Sequence, residues 1–269
     1  MCSRLALALL VALSATVLAS SPAAAQTERV LRFFDTSGSL SVQANVVWGT
    51  LRVTGHEGDE IRLSVTHTSE GGSPRAVSNL ADYVSVQSTS NAYSITGRTP
   101  ANGAFESIDI TLSVPARADI RLGVNRGGEI VVDGVNGVVD VSQRNGSVEL
   151  TNLGGSAVVN ALNGSIQASF RSVTPNRSMS FIALNGEIDL TLPARHKANV
   201  RLRSERNGYI TSDFELPSVE YPYAAEPREG SEKPLYSTRP IEIESTINGG
   251  GPMLVATTEN GPIRLRRSR

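Results

Sequence analysis

The sequence predicts an all-β protein: a single-domain β-helix or solenoid of short strands turning at Asn-Gly corners, with an antiparallel β meander or barrel as the alternative. Three observations predict it. Glycine recurs every nine residues through the centre of the chain, aliphatic residues alternate with polar ones after each glycine, and Asn-Gly pairs punctuate the runs. A fixed internal period outweighs local propensity as evidence about fold.

Residues 1–25 read as a secretory signal peptide. Arg4 precedes an apolar run from Leu5 to Leu18, and the small residues Ala23, Ala24 and Ala25 precede Gln26. The run is shorter than the roughly 20 residues that span a bilayer, and small residues after it mark a cleavage site. The one cysteine, Cys2, lies ahead of the run, where no lipid anchor would attach. The mature chain, residues 26–269, is therefore expected to be exported, periplasmic first and secreted or surface-bound second. It would hold no disulfide and no transmembrane segment.

Alternation begins at Leu40 and Val42 and continues through Gly49–Val53, through Ile61, Leu63 and Val65, and through Ile108–Val114. From Ser73 to Tyr83 a capping serine and an early proline suit one short helix. The regular series then opens with glycine at 128, 137, 146, 155 and 164, and returns at Gly186, Gly208 and Gly261. Ile130 and Val132, Val139 and Val141, Val148 and Leu150, Ile188 and Leu190, and Ile263 and Leu265 form the expected buried set, because period two puts alternate residues on one face. Asn145, Asn163, Asn185 and Asn207 then occupy equivalent corners, where their amides would bond from layer to layer. Asn-Gly is also the strongest short hairpin signal, which keeps the meander open. A core of Val, Ile, Leu and Ala suits stacked walls that bury each other, and nothing helical is available to cover a sheet.

Residues 215–240 break the pattern with prolines, glutamates and Tyr221, Tyr223 and Tyr236. A loop of that length is usually functional or disordered. The last residues, Arg264 to Arg269, read as a frayed, solvated tail.

These stretches together resemble the bacterial putative-adhesin family: Trp48–Gly55, Ile110–Pro115, the glycine series, Ile188–Pro193, Asn207–Phe214, and Gly249–Gly251 with Asn260-Gly261. The resemblance implies a β-helix-like fold outside the cytoplasm. It carries over no catalytic or binding residue.

Net charge is −1, and Lys197 and Lys233 are the only lysines, so no basic face for nucleic acid is expected. Asp35-Thr36-Ser37-Gly38 lacks the partner carboxylate an aspartic protease needs. His56, His67 and His196 have no zinc-ligand spacing and read as surface residues, and the turns lack the aspartate of calcium-binding repeats. No cofactor is expected.

Two surfaces remain as binding candidates for an envelope glycan or envelope protein. One is the outward column Glu149, Gln167 and Asp189 with Tyr209; the other is the tyrosine-rich loop. If strands stack, Glu149 and Asp189 lie about 9.6 Å apart, close to the separation of an inverting glycosidase, so a carbohydrate-active enzyme is the alternative function. The primary expectation is a non-enzymatic binding or structural protein.

Overall fold

The computed structural model describes residues 27–32, 40–68, 75–76, 80–98, 107–206, 208–217 and 240–268. The expected signal segment, Asp35–Gly38, Asn207, Tyr221, Tyr223 and Tyr236 lie outside these. The chain is all-β, with two large, mostly parallel sheets and one turn of helix. Among the described residues, no helix is long and apolar enough to cross a membrane.

In chain order the first strands are β1 (Thr27–Arg32), β2 (Ser41–Trp48), β3 (Leu51–His56), β4 (Glu60–Thr68) and β5 (Arg75–Ala76). The helix α1 (Leu80–Tyr83) leads into β6 (Val84–Ser88), β7 (Ala92–Gly97) and β8 (Ser107–Pro115). Of the helix expected from Ser73 to Tyr83, the described residues 80–83 are helical and 75–76 are not. Arg75 and Ala76 instead pair antiparallel with His67 and Thr66, because a neighbouring strand edge supplies the hydrogen bonds that a four-residue helix cannot supply for itself.

The regular series follows as β9 (Asp119–Gly127), β10 (Ile130–Asp133), β11 (Val138–Asn145), β12 (Val148–Leu153), β13 (Ser156–Asn163), β14 (Ile166–Phe170), β15 (Met179–Asn185) and β16 (Ile188–Leu192). The chain closes with β17 (Ala198–Arg206), β18 (Ile210–Ser212), β19 (Ile241–Ile247), β20 (Met253–Asn260) and β21 (Ile263–Arg267). The nine-residue period is half a unit. Successive strands alternate between sheets, so Ile130 pairs with Val148 and Val138 with Ser156, each eighteen positions on.

The first sheet runs β1-β4-β8-β3-β10-β12-β14-β16-β21-β18, with β5 beside β4; the second runs β19-β17-β20-β15-β13-β11-β9-β2-β7-β6. Only the central run from β9 to β16 follows chain order. At the N-terminal end β2 and β3 sit between the strands of β7/β8 and β9/β10. At the C-terminal end β20 and β21 sit between β15/β16 and β17/β18. The terminal arginines belong to this inner unit: Arg264 and Arg266 lie in β21, and the Ser268 amide donates to the Leu192 carbonyl at 2.8 Å. The expected frayed tail is therefore ordered strand.

The inner faces of both sheets form one aliphatic core. Every predicted inward pair from Ile130/Val132 to Ile263/Leu265 is buried in it. Phe170 and Phe181 meet edge to face at 6.3 Å within it.

The corner between the sheets is set by close backbone approach. A Cβ on Gly146 would lie 1.7 Å from the Gly128 carbonyl oxygen, and one on Gly164 would lie 2.0 Å from that of Gly146. Both have φ in the region side chains avoid, +135° and +152°. Beside this column runs an amide ladder. Asn163 donates to Asn145 at 2.9 Å, Asn185 to Asn163 at 2.8 Å, and Asn260 to Asn185 at 2.9 Å. The fourth rung is thus Asn260 where the spacing predicted Asn207, because β20 lies next to β15 and carries Asn260 into register with Asn185. The bottom rung, Asn145, donates to the Arg126 carbonyl at 3.0 Å.

Candidate functional site

Alternation on the second sheet should leave polar residues outside, and two adjacent strands carry most of the exposed aliphatics that depart from this. In β13 the outward residues include Val158 and Leu162, and in β15 Ile182 and Leu184, exposed by 37%, 39%, 43% and 36%. Asn160 of β13 pairs with Ile182, and Val158 with Ser180, so the four aliphatics form one patch across two strands. Leu162, Ile182 and Leu184 line the floor of an open trough of about 1090 Å³ that crosses the sheet from Val47 and Thr96 at one end to Arg206 at the other. Asn45, Asn125, Ser142, Asn160 and Thr257 line it with amides and hydroxyls, and no aromatic ring takes part.

The lining differs in charge across the sheet. On β11, next to the aliphatic strands, the Arg144 guanidinium has no ion pair among the described residues, while Arg121 of β9 pairs with Asp140 at 3.0 Å. On the β20/β17 side the acids are already engaged. Glu259 meets Arg206 at 3.2 Å, and Glu205 meets Arg203 at 2.6 Å, a contact that raises the Arg203 pKa through its hydrogen bond and charge. The trough therefore offers an aliphatic floor with the unpaired Arg144 guanidinium on the neighbouring strand.

The residues singled out in the sequence lie elsewhere. Glu149, Gln167 and Asp189 are aligned on the outer face of the first sheet, since Glu149 pairs with Gln167 and Gln167 with Asp189. Asp189 is only 13% exposed and is held by Arg266 at 2.7 Å. Tyr209 joins the end of this face. Arg264 donates to its hydroxyl at 2.6 Å, lies 5.6 Å above its ring, and pairs with Glu187 at 2.7 Å. These contacts tie β21 to both neighbours and leave only Glu149 and Gln167 open to solvent.

His56, His67 and His196 are half-buried rather than at the surface, and they sit in separate parts of the stack. The His56 ring contacts the Glu60 carbonyl and the Gly58 amide, and the His67 ring lies 4.8 Å from Tyr83. Among the described residues, no group of three or more His, Cys, Asp or Glu side chains is placed to hold a metal ion.

The trough is not among the surfaces singled out in the sequence. The signal is present as a lapse in alternation: Ala157-Val158-Val159 and Phe181-Ile182-Ala183-Leu184 are unbroken apolar runs where one face should be polar.

No family model matches the chain, and no curated protein matches it. Among solved structures it is similar to a putative cell adhesion protein from Clostridium sporogenes, at 10% identity over 90% of this chain and 100% of that one, with a TM-score of 0.41. It is also similar to a putative adhesin from Bacteroides fragilis, at 10% identity over 90% of this chain and 97% of that one, with a TM-score of 0.29.

Proposed function

We propose that this chain is an exported, non-enzymatic adhesin-type protein that binds an envelope polypeptide through the trough on its second sheet. The two sheets are read as opposite walls of a β-helix with two strands per turn. The parallel stacking, the eighteen-residue repeat and the shared Asn-Gly corner support that reading.

The observation that carries the function is the patch Val158, Leu162, Ile182 and Leu184 on outward strand positions. Contiguous apolar surface set within polar surroundings is the mark of an interaction site. Its chemistry favours protein over glycan, because an aliphatic floor offers side chains a place to bury but gives sugar rings no aromatic platform. Arg144 on the neighbouring strand favours a partner segment that is aliphatic and acidic.

On the first sheet, Asp189 is committed to Arg266 and Gln167 separates it from Glu149. This favours binding over glycoside cleavage.

The test compares the wild-type protein with Leu162→Asp/Leu184→Asp in capture from envelope extracts, with protein and glycan fractions both analysed. Both substitutions are on exposed positions, so the thermal midpoint should hold. A protein partner retained by the wild type and lost by the variant is the expected result. An unchanged set of captured proteins would remove the trough from consideration. A glycan captured equally by both would return attention to Glu149 and Gln167.

A further inference from the structure

The unit β20/β21 occupies a slot that chain order does not provide. It follows β17/β18 in the chain yet lies between them and β15/β16. Its two strands make no hydrogen bonds to each other. Their backbone partners are β15 and β17 in one sheet and β16 and β18 in the other. The same segment carries β19, which pairs antiparallel with the far side of β17, so residues 240–268 grip β17 from both edges.

The outer unit also has the features that fit it to the slot floor. Thr258 of β20 is fully buried and donates to the Gly186 carbonyl at 2.8 Å. Ser204, at the equivalent position of β17, makes the same contact one layer up, donating to the Gly261 carbonyl at 2.9 Å. Gly208 lies over Gly261 as Gly261 lies over Gly186, each position too tight for a Cβ. If β20/β21 leaves, β17/β18 can settle on β15/β16 with Ser204 bonding the Gly186 carbonyl, so opening the slot leaves no buried carbonyl unsatisfied.

We propose that residues 240–268 are an exchangeable segment, and that the segment of one copy fills the slot of a second copy to give a strand-swapped dimer. Swapping reproduces every contact of the closed monomer and changes only the connection, which is why it is a low-cost route to association. The connection, residues 218–239, spans at most roughly 75 Å, enough to reach an adjacent copy. The ionic contacts that hold the segment, Arg264 with Glu187 and Arg266 with Asp189, are equally available from a partner's segment.

Ser180 and Val255 are register partners on the outer face of β15 and β20, at a spacing a disulfide bridges. In a Cys2→Ser background, full-length chains carrying Ser180→Cys alone and Val255→Cys alone are unfolded together and refolded under mild oxidation. A disulfide-linked heterodimer that increases with protein concentration is expected, alongside a dimer peak of the unsubstituted chain on gel filtration. The double variant should close its bond within one chain on dilute refolding, which certifies the register. The proposal is overturned if the double variant closes internally while the mixture stays monomeric at every concentration. Covalent dimers from Val255→Cys alone in equal yield would overturn it too, since they report surface contact without exchange. Should either variant misfold, the rungs Asn185→Cys and Asn260→Cys provide a second register pair with the same two outcomes.

Discussion

Three kinds of residue hold the corner, and each does so for a different physical reason. Gly164 is needed because any Cβ would strike the Gly146 carbonyl at a backbone angle that side chains avoid. Gly164→Ala should therefore lower stability by at least about 2 kcal/mol, read as a shifted urea midpoint. Thr258 is needed for its hydroxyl. Replacing it with isosteric valine keeps the volume and leaves the half-buried Gly186 carbonyl without this partner, a change of about 1–2 kcal/mol. If Thr258→Val matched the wild-type midpoint, water would have to reach that carbonyl. Asn260 completes a ladder whose first three members, Asn145, Asn163 and Asn185, were legible as equivalent corners of a repeat. The fourth was not, because Asn207 and Asn260 both precede glycine and only the pairing of β20 with β15 decides between them. His196 adds a pH dependence. Burial lowers its pKa from the usual 6.5, so the unfolded chain takes up the proton first. Its contribution is complete above about 6.5 and is lost as pH falls through that value toward the lower folded one. His196→Gln should flatten the decline in stability across mildly acid pH, as measured by unfolding curves at stepped pH.

At the scale of elements, inward residues were readable wherever the strand alternates cleanly, and β10, β12, β16 and β21 bury the pairs that period two selects. Partners in space were readable only from β9 to β16, where chain order and stack order coincide. The insertions of β2/β3 and β20/β21 could not be read, since every unit presents similar aliphatic faces and the choice of neighbour rests on corner contacts and cross-strand charges. The binding candidates failed for a related reason. A search for chemistry finds carboxylates and tyrosines, but in the folded chain Asp189 and Tyr209 serve to latch β21, while the exposed aliphatics of β13 and β15 look like core in one dimension. The latch can be measured. Arg264→Gln/Arg266→Gln should cost about 0.5–1.5 kcal/mol at low ionic strength, since such partly exposed pairs are individually weak. The loss should shrink near 1 M salt, where the screening length falls to about 3 Å. A penalty that does not change with salt would mean that the arginine stems pack against Tyr209 and matter more than their charges do.

For the whole molecule, the two insertions place β2/β3 and the C-terminal β20/β21 inside the stack, while β1 lies at the edge of the first sheet beside β4. Single-chain repeat proteins ordinarily fray from their end repeats, because an end unit has one neighbour where an inner unit has two. Here the units β2/β3 and β20/β21 each have two, and the outermost layers are formed by β7/β8, with β1, β4 and β6 beside them, and by β17/β18 with β19. The core residues of the two inserted units, among them Val42, Leu51, Leu254 and Leu265, are as buried as those of the central run. Protection should therefore follow position in the stack and not position in the chain. In native-state hydrogen exchange, the amides of β2, β3, β20 and β21 should be protected like those of β11 to β16, while β6, β18 and β19 exchange first. Fast exchange at β20 and β21 alone, with β17 and β18 still protected, would mean that the C-terminal unit leaves its slot while the outer layer stays closed, which is the opening that strand exchange requires.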